Sequence, residues 1–336
     1  LTYDLKSDWE FCPGDPQDAN AELDKPETID DIARALEAGG HEIYRIGSAK
    51  NLLSQLDSLD VDIVFNICEG YRGRNRESQV PVILEMQGIP FVGSDGLTLG
   101  LTLDKAVAKK CFIADGIPTP RFFLASQGHE APGQNTIGYP LIVKTTCEGT
   151  SKGLTEKSKV NNARELAGQV DFIARTYHQP ALVEEFISGR EFTVPVLGNG
   201  DETQAMPVVQ VSIDGKLDLG DEFYTYERVF SDNLRYVCPA RISGALTRTI
   251  QDMAVRAYAS VGCRDFGRVD FRVDQEGRPF VLEINPLPSL EKKDVFNLFP
   301  AVIGTTYEAT LNKILASAAR RCGLIKTPAP VPAGTE

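Results

Sequence analysis

The segment FGRVDFRVDQEGRPFVLEINP, from Phe266 to Pro286, constrains the fold more than any other part of the chain. In its first half, apolar and charged residues alternate with a period of two, which is typical of half-buried strands. The second half alternates in the same way, and turn-forming residues from Asp274 to Gly277 separate the halves. The segment therefore predicts an antiparallel hairpin with one face in the core.

The other face of this hairpin has polar residues that are suited to binding a ligand or a metal ion, namely Arg268, Asp270, Glu283 and Asn285. An even loop between the strands places all four on one face, whereas an odd loop divides them. Two carboxylates and an amide oxygen suit Mg²⁺, and an arginine suits the anion that such an ion carries. From the hairpin alone, the alternative is a solvated sheet face without a function.

Composition limits the class of protein. The 336 residues exceed a usual single domain, and 42% hydrophobic with 24% charged residues is typical of a soluble globular protein. A net charge of −12 argues against nucleic acid or an anionic membrane as the main partner, and no apolar run has membrane-spanning length. Seven scattered cysteines without a CxxC pair indicate reduced thiols and predict a cytoplasmic protein.

The order of predicted elements divides the chain. The first ninety residues alternate strand and helix, which implies a small parallel sheet covered by helices. The strands there are LTYDL, HEIYRI and VDIVFNI, and PETIDDIARALEAGG is a helix. LTLDKAVAKKCFIADG predicts one further helix. We expect domains at 1–94, 95–187 and 188–325, and a disordered Pro/Ala-rich tail at 326–336.

A candidate phosphate site lies after the apolar strand YPLIVKTT. Neither a P-loop nor a dinucleotide fingerprint occurs in the chain. Lys144 ends this strand, and the loop EGTSKG follows at 148–153. Backbone amides near its glycines, with the hydroxyls of Thr150 and Ser151, are suited to phosphate oxygens. An ordinary hairpin loop is the alternative.

A second candidate binding segment is ALVEEFISGRE. Glu184 and Glu185 interrupt an apolar strand, and Glu191 follows a Ser-Gly turn. A strand edge that leads into a turn offers backbone groups to a planar base, and a carboxylate beyond it accepts from ribose hydroxyls. This segment therefore suits a nucleoside.

Taken in order, these segments resemble the ATP-grasp superfamily, and most closely its D-alanine–D-alanine ligase family. The resemblance covers nearly the whole chain, through the motifs GIPFVGSDGLTLGLTLDK, LIVKTTCEGTSKG, ALVEEFISGREFTVPVLG, FYTYERVFSD, GRVDFRVD and FVLEINPLP. It implies an α/β and α+β fold with three-domain ATP-grasp architecture and an N-terminal Rossmann-like (pre-ATP-grasp) domain.

The resemblance implies a role for each matching residue. The implied ATP-binding residues are Lys105, Lys144, Glu148, Gly149, Gly153, Glu184, Glu185, Ile187, Glu191 and Arg228. The implied ligands of two Mg²⁺ ions, or of Mn²⁺, are Asp270, Glu283 and Asn285. The implied catalytic residues are Arg268, Glu22, Thr150 and Ser151. Glu22 would bind the ammonium of the first amino acid; Glu27 is the other candidate, and we favour Glu22.

The family resemblance also implies a two-step reaction. A substrate carboxylate attacks the γ-phosphate of ATP to form an acyl phosphate, and an amine then displaces phosphate to give an amide. The implied partners are small amino acids, the implied pathway is peptidoglycan biosynthesis, and a homodimer is expected. A closed site would protect the acyl phosphate from water.

The chain departs from the family pattern only in the amino-acid half of the site. Glu69 replaces a histidine, Arg228-Val229 replaces a lysine-tyrosine pair, and Ser289 replaces a glycine. New charges occur at Arg74, Arg76, Glu77 and Lys292, and a substrate with an extra carboxylate, or a larger peptide-like acceptor, would use one of the cations among them.

Three hypotheses follow. The leading one is a Mg-ATP-dependent ligase that makes D-alanyl-D-alanine or a related dipeptide. The second is an amino-acid or peptide ligase of secondary metabolism with another substrate. The third is a non-catalytic nucleotide-binding regulatory protein, which has little use for the complete set of Arg268, Asp270, Glu283 and Asn285.

Overall fold

The structure is a computed structural model that describes residues 1–126, 137–229, 231 and 233–326. The predicted disordered tail, apart from its first residue, lies outside these residues. The helices are α1 (Pro26–Ala38), α2 (Ala49–Gln55), α3 (Gln79–Gln87), α4 (Gly96–Leu103), α5 (Lys105–Ala114), α6 (Ala163–Tyr177), α7 (Tyr226–Val229), α8 (Gly244–Ser260), α9 (Val295–Val302) and α10 (Tyr307–Arg321). The strands are β1 (Val64–Phe65), β2 (Phe91–Val92), β3 (Phe122–Ala125), β4 (Leu141–Thr145), β5 (Lys159–Val160), β6 (Ala181–Glu185), β7 (Gly189–Leu197), β8 (Gln204–Ala205), β9 (Val209–Ile213), β10 (Leu234–Val237), β11 (Phe266–Asp274) and β12 (Pro279–Asn285).

The N-terminal part contains short parallel strands. β1 and β2 pair in parallel, and Thr2 forms parallel bridges to both Gly47 and Asn66. The predicted parallel arrangement is thus confirmed, but LTYDL contributes only isolated bridges, and HEIYRI forms none, since the bridge to Thr2 lies at Gly47, directly after it. Each of these strands is short and makes only a few main-chain hydrogen bonds before its loop begins.

The middle of the chain forms a four-stranded antiparallel sheet in the order β3-β6-β4-β5, against which α6 packs. The continuous helix predicted before it is wrong. Asp104 has an extended backbone (φ −84°, ψ 94°), and its side chain accepts a hydrogen bond from the amide of Val107. This cap ends α4 and starts α5, so Lys105 becomes the first residue of a helix.

The third sheet is antiparallel in the order β10-β9-β7-β11-β12, with β8 beside β7. Helix α8 packs on one of its faces through Ile250 and Ala254, which share a buried cluster with Val269 and Phe271. Because this face is apolar, the polar residues of β11 and β12 face the other way.

The hairpin register confirms that the four polar residues share a face. Arg268 pairs with Asn285, and Asp270 pairs with Glu283. Nearer the turn, however, the five residues 274–278 separate the first paired positions, which is an odd number. A regular ladder would therefore have divided the four side chains.

A β-bulge resolves this conflict. The register shifts between Asp270 and Phe271, where Leu282 has no residue opposite. Val281 and Ile284 consequently both face the core, while Leu282 lines the polar side. The strict alternation expected for the second strand is therefore wrong at Leu282.

The two ends of the chain share a core. Ile29 and Leu36 of α1 belong to one buried cluster with Leu311 and Ile314 of α10. The side chain of Asn312 also donates to the carbonyl of Ala35 at 2.7 Å. The N-terminal part is therefore fixed against the C-terminal helix. No helix in the described residues is long and apolar enough to cross a membrane.

Candidate active site

The polar face of β11 and β12 forms the centre of the site. Asp270 accepts hydrogen bonds from Arg268 Nε (3.1 Å), Thr193 Oγ1 (2.5 Å) and Asn285 Nδ2 (3.0 Å). Glu283 lies beside it with its side chain 31% exposed, and its nearest cation is Lys105, at 3.6 Å. Within the described chain Glu283 accepts no hydrogen bond. The carboxylate and amide oxygens on this face therefore suit a divalent cation.

This face forms one wall of a cleft, which we call the main cleft. It has apolar and charged walls, and its lining includes Lys105, Ile142, Lys144, Glu148, Thr150, Ser151, Leu154, Glu184, Glu185, Phe186, Ile187, Glu191, Phe223, Arg268, Asp270, Leu282, Glu283 and Asp294. Most of the predicted ATP residues thus meet in a single cavity. The ammonium of Lys105 also donates to the carbonyl of Glu148, which links α5 to the loop at 148–153.

A buried ion triad supports one side of the main cleft. Glu184 lies 2.5 Å from Lys109 and 2.7 Å from Lys144, and Glu184 and Lys109 are 1% exposed. Burial alone would raise the pKa of Glu184, but the two lysines lower it to about 2. Glu184 therefore orients Lys144 toward the cleft. Sequence reasoning missed Lys109, because a lysine in an amphipathic helix resembles a surface residue.

The apolar end of the main cleft suits a flat ring. Phe186 and Phe223 pack edge to face with centroids 5.8 Å apart, and Ile142 belongs to the same buried cluster. Arg272 lies 3.7 Å from Glu191 and donates to three backbone carbonyls. Burial raises the pKa of Glu191, although Arg272 opposes this shift.

The loop at 148–153 has a strained backbone. Thr150 and Ser151 both have positive φ angles, 47° and 55°, which non-glycine residues rarely adopt. Both residues line the main cleft. Three amides of the loop are already engaged, since Gly149 donates to Glu22 (2.6 Å), Gly153 donates to Asp18 (2.9 Å) and Lys152 donates to the carbonyl of Gly149 (3.0 Å). Such strain is typical of ligand-binding loops.

Glu22 lies beneath this loop, whereas Glu27 is exposed at the start of α1. The Glu22 carboxylate accepts from Arg76 at 2.7 and 2.8 Å and from Lys152 at 3.0 Å. Burial would raise the pKa of Glu22, but Arg76 and Lys152 lower it to about 2. Of the two candidates, only Glu22 lies at the site, and Arg76 and Lys152 already balance its charge.

Two of the predicted ATP-binding residues, Arg228 and Glu185, have other partners in the structure. Arg228 donates to the carbonyl of Phe223 (2.8 Å) and pairs with Glu156 (3.1 Å), outside the residues that line the main cleft. Glu185 lines the cleft, but Arg121 binds its carboxylate at 2.9 Å. The ATP contacts of these residues remain predictions.

The cations expected to bind an extra substrate carboxylate are also engaged. Arg74 pairs with Asp104 (2.6 Å), and Lys292 pairs with Asp31 (2.9 Å). Arg76 is bound by Glu22. The structure therefore does not support the expectation of a substrate with an extra carboxylate.

A second cavity adjoins the main cleft and shares Lys105, Glu148, Arg268 and Glu283 with it. We call it the acidic compartment, and its own lining includes Glu22, Asp24, Glu69, Glu77, Asn285, Ser289 and Leu290. Asp294, which caps α9 through the amide of Val295 (2.5 Å), lines both cavities and lies 4.0 Å from Arg268. The polar face of β11 and β12 thus lies between the main cleft and a smaller polar cavity.

Known proteins match this arrangement. The family model described as the D-ala D-ala ligase C-terminus matches residues 113–316. Uncharacterized protein y4sG of Sinorhizobium fredii is 35% identical over 305 residues, covering 87% of each chain. A D-alanine--D-alanine ligase of Janthinobacterium is 34% identical and covers 85% of this chain and 88% of its own.

Solved structures share the fold. D-alanine--D-alanine ligase from Bacillus anthracis complexed with ATP has a TM-score of 0.72 at 21% identity, covering 89% of this chain and 93% of that one. VanG D-Ala:D-Ser ligase from Enterococcus faecalis has a TM-score of 0.62 at 26% identity, covering 77% and 74%.

The fold and the matches to known ligases define an ATP-grasp ligase, an enzyme that uses ATP and a divalent metal to join a carboxylate to an amine. The chain belongs to the D-alanine–D-alanine ligase family. It is an ATP-dependent dipeptide ligase that acts on small amino-acid substrates. This result favours the two catalytic hypotheses over the regulatory one.

Proposed function

We propose that this enzyme forms a dipeptide through an acyl phosphate, with ATP in the main cleft and the amino acids in the acidic compartment. The observation that carries the proposal is the shared face of Arg268, Asp270, Glu283 and Asn285 at the junction of the two cavities. A carboxylate bound in the acidic compartment would meet a phosphate bound in the main cleft at this face.

The chain's own residues supply positioning and charge. Lys105 and Lys144 enter the main cleft from two elements and would hold the phosphates. Arg268 would neutralise charge on the transferred phosphoryl group and on the oxyanion of the second step. Thr150 and Ser151, on the strained loop, would close over the phosphates and exclude water.

Asp270, Glu283 and Asn285 would hold two Mg²⁺ ions, and Mn²⁺ is a substitute of similar ligand preference. When bound, the ions would neutralise phosphate oxygens. In the structure, Arg268 binds Asp270 through two hydrogen bonds. Metal binding would therefore require Arg268 to turn from Asp270 toward the phosphate.

We further propose a cytoplasmic homodimer. Met86 of α3 and Leu97 of α4 are each 78% exposed, and Val82 lies next to Gly96 on the same surface. Contiguous exposed apolar residues typically mark a protein contact. A monomer mass by light scattering at micromolar concentration would contradict this part.

Phosphate release tests the function directly. The protein is incubated with ATP and Mg²⁺ over a panel of D- and L-amino acids, singly and in pairs, and products are identified by mass spectrometry. Release with D-alanine alone and a dipeptide mass would support a cell-wall ligase. Turnover only with another pair would support the second hypothesis. No release with any pair would overturn the proposal.

A further inference from the structure

The acidic compartment contains carboxylates that form no ion pair with any of the described residues. Glu22 is bound by Arg76 and Lys152, and Glu148 by Lys152 at 2.5 Å. Glu69 and Glu77 have no such partner: among the described residues, neither forms a hydrogen bond or an ion pair through its side chain. Glu77 is only 8% exposed.

These side chains converge. Carboxylate oxygens of Glu22, Glu69 and Glu77 all lie within 4.8 Å of one another. The convergence depends on Gly70, which has φ +74° and lies so close to Arg76 that an added Cβ would be 2.5 Å from its carbonyl oxygen. The loop after Glu69 therefore folds back tightly enough to bring Glu77 beside it.

The unpaired charges are unfavourable without a ligand. Burial raises the pKa of Glu77 to about 7, although Arg76 and Lys105 oppose this shift, and burial together with Glu77 and Glu22 raises the pKa of Glu69 against the effect of Arg76. A buried carboxylate that accepts no hydrogen bond is costly unless a cation approaches it. The compartment thus favours a ligand with more positive than negative charge.

A neutral amino acid does not meet this need. As a zwitterion it brings one ammonium and one carboxylate, so its net charge is zero. An amino acid with a cationic side chain brings a second ammonium and a net positive charge. We propose that the acidic compartment selects an amino-acid substrate with a positively charged side chain, and that Glu69 and Glu77 bind that charge. This inference rests on the proposed function, because it names the substrate class of the same site.

A metal ion is the competing occupant. Three convergent carboxylates are able to hold a divalent cation. However, Glu22 already binds a guanidinium and an ammonium, which would repel an ion at the same oxygens. The geometry therefore favours an organic ammonium at Glu69 and Glu77, because its binding does not displace Arg76 and Lys152 from Glu22.

The test compares ornithine with norvaline, whose side chain has the same length without the ammonium. Phosphate release is measured for both enantiomers of each, alone and with D-alanine. Binding is measured separately by calorimetry, with Mg²⁺ and a non-hydrolysable ATP analogue present. We expect at least about tenfold higher kcat/KM and tighter binding for ornithine, because norvaline would leave the buried carboxylates without a counter-charge, which costs more than one tenfold step.

The variants Glu77→Gln and Glu69→Gln keep the shape and remove the charge. Each should reduce the ornithine preference about tenfold or more without changing KM for ATP. Glu85→Gln, an exposed residue of α3, is the matched control and should behave as wild type. Melting curves establish that each variant folds.

Three outcomes would overturn the inference: norvaline equals ornithine, the Gln variants keep the preference, or Mg²⁺ binds without nucleotide at a site that Glu77→Gln abolishes. Failure of the proposed function looks different. In that case no amino acid gives phosphate release, while calorimetry still reports whether the compartment distinguishes ornithine from norvaline.

Discussion

At the residue scale, substitution of Glu283 should impair catalysis much more than stability. Its carboxylate is partly exposed and accepts no hydrogen bond from the described residues, and its nearest cation is Lys105, at 3.6 Å. We expect Glu283→Ala to lower kcat by about 10²-fold or more, as loss of transition-state electrostatics does, while the melting temperature changes little. Phosphate-release kinetics and calorimetric melting measure the two effects.

The matched control is Glu276→Ala, in the turn of the same hairpin, where the side chain is 67% exposed. This variant should keep wild-type turnover. An active Glu283→Ala enzyme would eliminate Glu283 as a metal ligand.

Glu77 makes stability depend on pH. Because its folded pKa is about 7 against an ordinary 4.5, its proton stabilises the fold fully below pH 4.5, and this stabilisation is lost as pH rises through 7. Glu77→Gln should therefore melt above wild type at pH 8 and close to it at pH 4.5. The charged groups that act on Glu77 are Arg76, Glu22, Lys105, Glu148 and Glu69.

Melting curves from pH 4.5 to 8, without ligands, check the expectation. A constant difference between variant and wild type across this range would show that Glu77 does not titrate there.

At the scale of elements, the β-bulge in β12 accommodates one extra residue, Leu282, and so keeps the four polar residues of the hairpin on one face. Deletion of Leu282 would remove the one residue without a partner, so Val281, Glu283, Ile284 and Asn285 would alternate between the core and the polar face without a bulge. We expect the deletion variant to keep its cooperative melting transition and measurable ATP-dependent turnover.

Leu282→Ala is the control, because it shortens the side chain and keeps the register. It should still fold and keep measurable turnover. A deletion variant that loses its cooperative melting transition, while Leu282→Ala keeps it, would contradict this account of the bulge.

At the scale of the whole molecule, the N-terminal part depends on the C-terminal helix. The buried face of α1 packs on Leu311 and Ile314 of α10. We expect an isolated fragment 1–94 to lack a cooperative fold, since its apolar helix face would be exposed to water. Near-ultraviolet circular dichroism and limited proteolysis of the fragment, with the full chain as reference, measure this. A fragment that melts cooperatively would contradict the dependence.

Local chemistry and periodicity in the sequence determined much of this protein. The helix Pro26–Ala38, the parallel N-terminal strands, the hairpin and the set Arg268, Asp270, Glu283 and Asn285 all follow from residue type and spacing of near neighbours. The order of motifs was sufficient for the family, which the comparisons confirm.

Tertiary structure alone decided the long-range pairs and the register. Arg76 meets Glu22 across 54 positions of sequence, and Lys109 meets Glu184 deep in the core. No local pattern encodes such a partner, because burial and approach depend on how distant elements pack. The bulge at Leu282 is similar: the sequence left the loop parity open, the odd loop alone would have divided the four polar side chains, and packing of Val281 and Ile284 into the core keeps them on one face.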